Sequence, residues 1–204
     1  MKFNDAKPRC DWIKDHPLYL KYHDEEWGIP VYDDCKLFEL LILESAEAGL
    51  NWLLILQKRE NYRLAYHGFN PIEVAKFTAE KESELINNSG IVRSQLKIRS
   101  SIQNAKMFLE VQKQYGSFSN YIWNYVEHKP ILNEWKSTQE VPDETQLSRS
   151  ICQDMKNKGF TFIGPKMIYA FMQAIGIVND HPTYCFKYHK YSSNDQDANA
   201  DLMC

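Results

Sequence analysis

The sequence lacks several features that would place a protein in a broad class. It has no run of about 20 apolar residues, which excludes a conventional membrane-spanning helix. Basic side chains are not in excess, since 24 Lys and Arg stand against 27 Asp and Glu. This balance excludes a broadly basic wrapper of nucleic acid but leaves room for a local basic patch. The opening residues, MKFNDAKPRC, lack the charged-then-apolar pattern of a signal peptide, so we expect a cytoplasmic protein.

Cysteine is also sparse. The five cysteines are odd in number and widely spaced in a mid-sized chain, which makes a poor disulfide framework. We therefore expect reduced thiols or metal ligands among Cys10, Cys35, Cys152, Cys185 and Cys204.

The remaining composition is that of a globular protein, with 44% hydrophobic and 25% charged side chains among 204 residues. A chain of this length can bury roughly two-thirds of the surface that its unfolded form exposes in one core. We expect residues 1–189 to form a single compact unit, with two closely packed helical lobes as the alternative. The last residues, 190–204, are polar and predict a disordered tail.

Apolar residues recur at three- and four-residue spacing over 33–49, which predicts a helix with an aspartate at its start and Gly49 at its end. Few segments alternate as strands do, so the pattern predicts an all-α bundle of short helices. Further helices are predicted over 52–66, 80–88, 93–114, 118–127, 143–158 and 165–175.

Two histidines and two cysteines lie near opposite ends of the chain. His181 and Cys185 are four residues apart and would share a helix face, whereas Cys10 and His23 are thirteen apart. Together they could complete a tetrahedral zinc set, which would be closed and structural and would join the terminal segments. The spacing leaves open a simpler interpretation, in which the histidines are hydrogen-bonded and the cysteines are small apolar fillers.

Aromatic side chains crowd one region of the sequence near two carboxylates. Glu44 and Glu47 are three residues apart on the predicted helix 33–49, and Trp52 follows it. Aromatic faces attract cations, and a buried carboxylate needs a donor or a cation. These residues could line a pocket for a flat cationic ring, or the rings could be core and Glu47 a solvated residue. The other aromatic side chains are Trp12, Tyr19, Tyr22 and Trp27.

A short glycine-bounded loop, 159–164, separates the last two predicted helices. Pro165 suits the first position of a helix, where free N–H groups can bind an anion. With Lys156, Lys158 and Lys166 nearby, this loop could hold a DNA phosphate without reading sequence. It could equally be a plain turn between helices.

In combination these features resemble the bacterial DNA-3-methyladenine glycosylase I family, which belongs to the helix-hairpin-helix DNA glycosylase superfamily. The resemblance covers nearly the whole chain, and so many blocks in the same order are specific. The blocks are CDW at 10–12, PLY at 17–19, YHDEEWG at 22–28, LE at 43–44, AGLNW at 48–52, KRE at 58–60, GFTFIGP at 159–165 and VNDH at 178–181.

The resemblance assigns roles to particular residues. It implies a helix-hairpin-helix glycosylase-like bundle with one structural Zn²⁺ held by Cys10, His23, His181 and Cys185. It implies a base pocket, in which Glu44 and Tyr22 have catalytic roles, formed by Trp12, Tyr19, Tyr22, Glu44 and Trp52. It further implies that Gly49 and Leu50 fill the hole left by an extruded base. The remaining DNA contacts would come from the loop glycines Gly159 and Gly164 and from Lys166.

The same resemblance implies a function. The chain would hydrolyse the N-glycosidic bond of 3-methyladenine in alkylated double-stranded DNA in the bacterial cytoplasm. We also expect a monomer without an obligatory protein partner, since one enzyme for each lesion requires no second subunit. The resemblance assigns no lysine the role of a Schiff-base nucleophile, so we expect hydrolysis without strand cleavage. One alternative is a non-catalytic module that binds alkylated DNA or nucleobases. Another is a zinc-dependent hydrolase, which would require an open coordination position.

The chain departs from the common sequence motifs of the family at four positions. Ser45, Glu47 and Asn51 replace residues of the usual Glu-Gly-x-Gln-Ala-Gly-Leu-Ser-Trp block, and Gln95 replaces a usual arginine. Glu47 matters most, because a second carboxylate near the pocket would raise the pKa of Glu44 or strengthen the attraction for a cationic base. We expect these departures to affect rate and selectivity more than reaction class.

Overall fold

The computed structural model describes residues 7–13 and 16–188, and most of these residues are helical. Two short parallel strands, β1 (Ile131–Leu132) and β2 (Val178–Asn179), pair Ile131 with Val178. Among the described residues the α-helices are α1 (Pro17–Glu25), α2 (Asp34–Glu47), α3 (Trp52–Ala65), α4 (Pro71–Ala75), α5 (Ala79–Asn87), α6 (Gln95–Tyr115), α7 (Phe118–Trp123), α8 (Gln146–Asn157) and α9 (Pro165–Ala174).

The predicted all-α class is confirmed. Two helices of the described residues, α1 and α4, were not predicted, and both are short and begin with a proline. In each, the proline stands at the first position of the helix behind a capping side chain, His16 for α1 and Asn70 for α4. The predicted helix over 118–127 was too long, since α7 ends at Trp123 and tightens into a 3-10 turn over Asn124–Val126.

Helix α2 lies at the centre of the fold. Ten consecutive residues of α2, from Leu37 to Ala46, are buried, and the helix contacts α3, α6, α7 and α9. A helix that is covered on every side belongs to the interior rather than the surface. Glu44 is therefore carried into the core by its own helix.

Capping side chains fix the starts of both α2 and α3. The carboxylate of Asp33 accepts a hydrogen bond of 2.7 Å from the Lys36 N–H at the start of α2. In the turn that follows α2, Gly49 adopts a left-handed φ of 77°, and the Asn51 side chain accepts a 3.0 Å bond from the Leu54 N–H at the start of α3. The turn between the two helices is thus only four residues long.

The loop between α8 and α9 is fixed to α6. The Asn104 side chain accepts a 2.8 Å bond from the Thr161 N–H and donates a 3.1 Å bond to the Thr161 carbonyl. Because α8 and α9 also pack against each other, the loop projects from a rigid helical pair.

One cluster of buried apolar side chains extends from Cys10 to Cys185. Within the described part of the chain, no helix is long and apolar enough to cross a membrane. The polar tail predicted over 190–204 lies outside the described residues.

Candidate active site

A cavity of about 750 Å³ opens between α1, α2, α9 and the segment 138–143. All five residues that the sequence assigned to the base pocket line it, although they come from four separate segments of the chain. They are Trp12, Tyr19, Tyr22, Glu44 and Trp52.

The aromatic walls of this cavity brace one another. Trp12 meets Tyr19 and Trp27 edge to face, with ring centroids 5.8 and 5.1 Å apart. On another wall, Tyr22 packs against Trp52 at 5.1 Å. Contacts of this kind hold flat rings in fixed orientations, so the cavity keeps a slot suited to a planar ligand.

Glu44 projects into this cavity without a protein partner. Its side chain is 6% exposed, and within residues 7–13 and 16–188 the structure gives its carboxylate no hydrogen bond or ion pair. Burial raises the pKa of Glu44 well above its ordinary value, and the nearby carboxylate of Glu47 raises it further. A buried, unpaired carboxyl group is unfavourable for stability, and such groups concentrate where ligands bind.

Two further polar groups in the cavity share this lack of protein partners in the described structure. The indole Nε1 of Trp52 is buried and makes no hydrogen bond. The hydroxyl of Tyr22 stays neutral, because burial and the neighbouring Glu44 raise its pKa well above the ordinary value. One acceptor and two donors thus face the same space, and a flat ligand with its own polar edge would satisfy them.

Asp180 also lines the cavity, but its carboxylate is fully engaged. It accepts hydrogen bonds of 2.7 and 2.8 Å from Asn133 and Trp135 on one oxygen, and of 2.6 and 2.7 Å from Tyr169 and Gln173 on the other. A carboxylate that accepts four hydrogen bonds has little capacity left to act on a ligand. Its role is to hold α9 and the segment after β1 against each other.

The four predicted metal ligands come together from both ends of the described chain. Cys10, His23, His181 and Cys185 are all buried, with their ligand atoms within 4.8 Å of one another. Each sulfur lies 3.3–3.4 Å from a nitrogen of each histidine. Zinc bonds of about 2.0–2.3 Å at tetrahedral angles require donor atoms about 3.3–3.8 Å apart, so the four sulfur–nitrogen separations fit Zn²⁺.

The outer ring nitrogens of both histidines are held by oxygen atoms. His23 Nδ1 lies 2.7 Å from Asp24 Oδ1, and His181 Nε2 lies 3.2 Å from the Trp27 carbonyl. These contacts fix the tautomer that turns the inner nitrogen's lone pair toward the thiols, as metal-binding histidines require. Gly28 leaves room for this arrangement, since a Cβ there would lie 2.9 Å from His181 Nε2.

The residues predicted to contact DNA lie beside the cavity. Leu50 is 44% exposed on the turn after Gly49. A second, largely apolar cavity of about 490 Å³ shares Glu44 and Glu47 with the first and reaches the α8–α9 loop at Gly164. The base cavity, the turn of residues 48–51 that carries Leu50 (the Leu50 turn) and the α8–α9 loop therefore form one continuous face.

The lysines near the loop differ in availability. Lys158 lies over the rings of Tyr115 and Tyr121 and is already occupied. Lys166 is exposed at the mouth of the cavity, where it forms an ion pair of 2.5 Å with Asp143. Exposed pairs of this kind contribute little, so a phosphate can compete for Lys166.

The four departures from the family's sequence motifs have different structural consequences. Ser45 donates a 3.3 Å hydrogen bond to the Phe162 carbonyl of the α8–α9 loop, and Asn51 caps α3 as a serine would. Gln95 is exposed and donates to Glu82, away from the cavity. Glu47 is the departure that changes the cavity itself, because it adds a second carboxylate to the lining.

Part of the lining was not predicted. Segment 138–143 contributes Thr138, Val141, Pro142 and Asp143, and α9 contributes Tyr169, Ala170 and Gln173. On α9 the signal was present, since Lys166, Tyr169 and Gln173 recur at the spacing of one helix face. Segment 138–143 has no regular pattern, and only the folded chain brings it to the cavity.

Comparisons with known proteins agree with this geometry. Residues 12–188 match the family described as methyladenine glycosylase. The DNA-3-methyladenine glycosylase of Haemophilus influenzae is 43% identical over 177 residues, which cover 87% of this chain and 96% of that protein. DNA-3-methyladenine glycosylase 1 of Escherichia coli is 41% identical over 180 residues, covering 88% and 96%.

Solved structures agree with the fold as well. The 3-methyladenine DNA glycosylase I of Staphylococcus aureus superposes with a TM-score of 0.88 at 35% identity, over 92% of this chain and 100% of that one. A Tyr-to-Phe variant of 3-methyladenine DNA glycosylase I in complex with 3-methyladenine gives 0.87 at 35% identity, over 90% and 99%. The chain therefore belongs to the methyladenine glycosylase family.

Proposed function

We propose that this protein is a monofunctional DNA-3-methyladenine glycosylase of base-excision repair. It hydrolyses the N-glycosidic bond of 3-methyladenine in alkylated double-stranded DNA and leaves an abasic site. The observation that carries the proposal is the aromatic cavity with the buried, unpaired carboxylate of Glu44. That combination suits a flat, positively charged base, which is what methylation at N3 makes of adenine.

Recognition uses both shape and charge. Trp12 and the other aromatic walls offer π faces to the ring, and a cationic ring is attracted to such faces. Glu44 accepts hydrogen bonds from the edge of the adenine, and its negative charge favours the methylated over the neutral base. Tyr22 lines the cavity next to Trp52, where its neutral hydroxyl can donate.

The bond to be broken is already weak. In DNA the methylated base carries a positive charge, so the pair of electrons of the C1′–N9 bond leaves with a base that becomes neutral. A water oxygen forms the new bond to C1′ and releases its proton to solvent. The protein must then extrude the nucleotide from the duplex and hold the base. Unstacking the nucleotide costs a few kcal/mol.

The DNA is held by the face beside the cavity. Leu50, placed by the left-handed Gly49, fills the space that the extruded base leaves in the duplex. The α8–α9 loop, with Gly159 and Gly164, forms the helix-hairpin-helix element and approaches the phosphates together with Lys166. All of these groups belong to one chain, which supports action as a monomer without an obligatory protein partner.

The zinc site is structural in this proposal. Cys10, His23, His181 and Cys185 would hold one Zn²⁺ with all four positions taken by protein. When bound, the ion contributes folding free energy by tying the segment before α1 to the segment after β2. A closed set argues against a zinc-dependent hydrolase. The cytoplasmic location expected from the sequence stays a prediction.

The test is incubation of the protein with methylated duplex DNA, followed by chromatography of the released bases and a measurement of strand integrity. We expect free 3-methyladenine, retained 7-methylguanine and intact strands that break only on later treatment with base. Binding to the methylated duplex with no released base would instead favour the non-catalytic module. In that case Glu47→Gln and Ser45→Gly are the first reversions to make.

A further inference from the structure

We propose that Lys97 is a positioning residue for DNA, because it fixes the Leu50 turn against the base cavity. This inference rests on the function proposed above and extends it to a helix that does not line the cavity. Lys97 belongs to α6, and its ammonium group reaches across to the end of α2.

The contacts of Lys97 are specific. Its Nζ donates to the carbonyl oxygens of Ala46 and Ala48, each at 2.7 Å. The carbonyl between them, on Glu47, accepts a 2.6 Å bond from the Leu50 N–H. Three successive carbonyls at the end of α2 are thereby satisfied, two of them by one lysine and one by the residue that enters DNA.

The end of α2 depends on this external group. The last carbonyls of a helix have no partners within it, and they carry a partial negative charge that favours a cation. The last turn of α2 contains no basic residue of its own. Without Lys97, the carbonyls of Ala46 and Ala48 would lose their donor just before the exposed Leu50.

Helix α6 also holds the other segment that faces DNA. Asn104 lies seven residues after Lys97, which places both on one face of the helix. Asn104 is fully buried and makes two hydrogen bonds to Thr161 in the α8–α9 loop. One helix face therefore sets the distance between the Leu50 turn and the loop, and the spacing of the two DNA contacts is built in before DNA binds.

Replacing Lys97 should therefore affect the binding of duplex DNA and the binding of a free base differently. In the described structure Lys97 donates to backbone carbonyls and makes no hydrogen bond to Glu44. Its charge acts on Glu47 at the cavity wall, so replacing Lys97 should change the affinity for a free base much less than the affinity for a duplex. Binding to a duplex with an empty base position requires Leu50 in a fixed place, so this affinity falls. A residue that merely stabilised the fold would affect both affinities together.

The experiment compares Lys97→Met, which keeps the length and loses the donor, with Lys97→Arg, which can still donate to both carbonyls. The matched control is Lys106→Met, an exposed lysine of the same helix for which the described structure gives no hydrogen bond or ion pair. Two affinities are measured for each variant, for a duplex containing a tetrahydrofuran abasic analogue and for free 3-methyladenine by tryptophan fluorescence.

For Lys97→Met we expect about a tenfold or larger loss of affinity for the abasic duplex, with free-base affinity within about twofold of wild type. Lys97→Arg should recover most of the lost affinity. Lys106→Met should change the affinity for the abasic duplex by about threefold at most. Wild-type affinity in Lys97→Met, an equal loss in Lys106→Met, or a parallel loss of free-base binding would each overturn the inference. Base release by the wild-type protein tests the proposed function separately, since the abasic duplex offers nothing to excise.

Discussion

The hydroxyl of Ser45 donates a hydrogen bond of 3.3 Å to the carbonyl of Phe162, which lies 117 residues further along the chain. The neighbouring residue, Glu44, faces the base cavity, and Phe162 lies in the loop before α9. A single helix, α2, thus connects the group proposed to recognise the base to the loop proposed to approach the DNA backbone. The base cavity and the DNA-facing loop are parts of one packed unit.

The raised pKa of Glu44 should make the reaction sensitive to pH. Burial, with a further contribution from Glu47, raises the pKa of Glu44, so kcat/KM should fall as the pH drops through that raised value and Glu44 becomes neutral. Replacing Glu47 with glutamine removes a like charge and lowers the pKa of Glu44. We expect the acidic limb of the kcat/KM profile to move to lower pH in Glu47→Gln, measured as base release in single-turnover reactions.

The same profile recorded for Glu82→Gln provides a control, because Glu82 lies on α5 and pairs with Arg99. Its acidic limb should stay where it is in wild type. An acidic limb that does not move in Glu47→Gln would mean that the two carboxyl groups do not interact.

The ion pair between Lys166 and Asp143 should weaken DNA binding. A phosphate must displace the Asp143 carboxylate to reach Lys166, so Asp143→Asn should raise the affinity for duplex DNA. Lys166→Ala should lower the affinity for all sequences alike and reduce the slope of log K against log salt by about one. Fluorescence anisotropy over a series of salt concentrations measures both quantities, and an unchanged slope in Lys166→Ala would show that this lysine contacts no phosphate.

Asp180 should matter for stability and for the shape of the cavity. Asp180→Asn removes the charge that accepts four hydrogen bonds and places an amide donor among four donors. We expect a loss of about 2–4 kcal/mol in the free energy of unfolding, and weaker binding of free 3-methyladenine. Urea denaturation and tryptophan fluorescence report the two effects, and wild-type values for both would show that the four contacts have no energetic role.

Zinc should contribute stability rather than reaction chemistry. Metal analysis should find one Zn²⁺ for each chain, and Cys185→Ser should lower both zinc content and melting temperature. Protein reconstituted with Co²⁺ should release 3-methyladenine at about the zinc rate, since the ion has no open position for a water. A rate that changes strongly with the metal, in protein of equal stability, would favour the zinc-dependent hydrolase.

Much of the fold could be predicted from the sequence, because most helices carry a strong apolar period and a capping residue. Helices α1 and α4 were missed because they are too short, at nine and five residues, to show a clear apolar period. The base-site residues Trp12, Tyr22, Glu44 and Trp52 were found through local crowding of aromatics and through the family resemblance.

Other features depend on contacts that no local pattern contains. The four hydrogen bonds to Asp180 come from residues 133–135 and from α9, and the contact of Lys97 with α2 spans about fifty residues of chain. Spacing alone could not decide between a zinc site and ordinary histidines. The structure brings His23 and His181 together with two thiols, because α1 and the segment after β2 meet, and occupation of this site by zinc stays a prediction.

The role of Glu44 in excision is tested by comparing wild type with Glu44→Gln on one methylated duplex. Base release is followed by chromatography, and binding to a tetrahydrofuran duplex serves as the control for folding. We expect wild type to release 3-methyladenine and Glu44→Gln to release it at least about a hundredfold more slowly, with nearly unchanged affinity for the abasic duplex. Equal rates of release in the two proteins would contradict the account, because the unpaired carboxylate in the cavity would then have no part in excision.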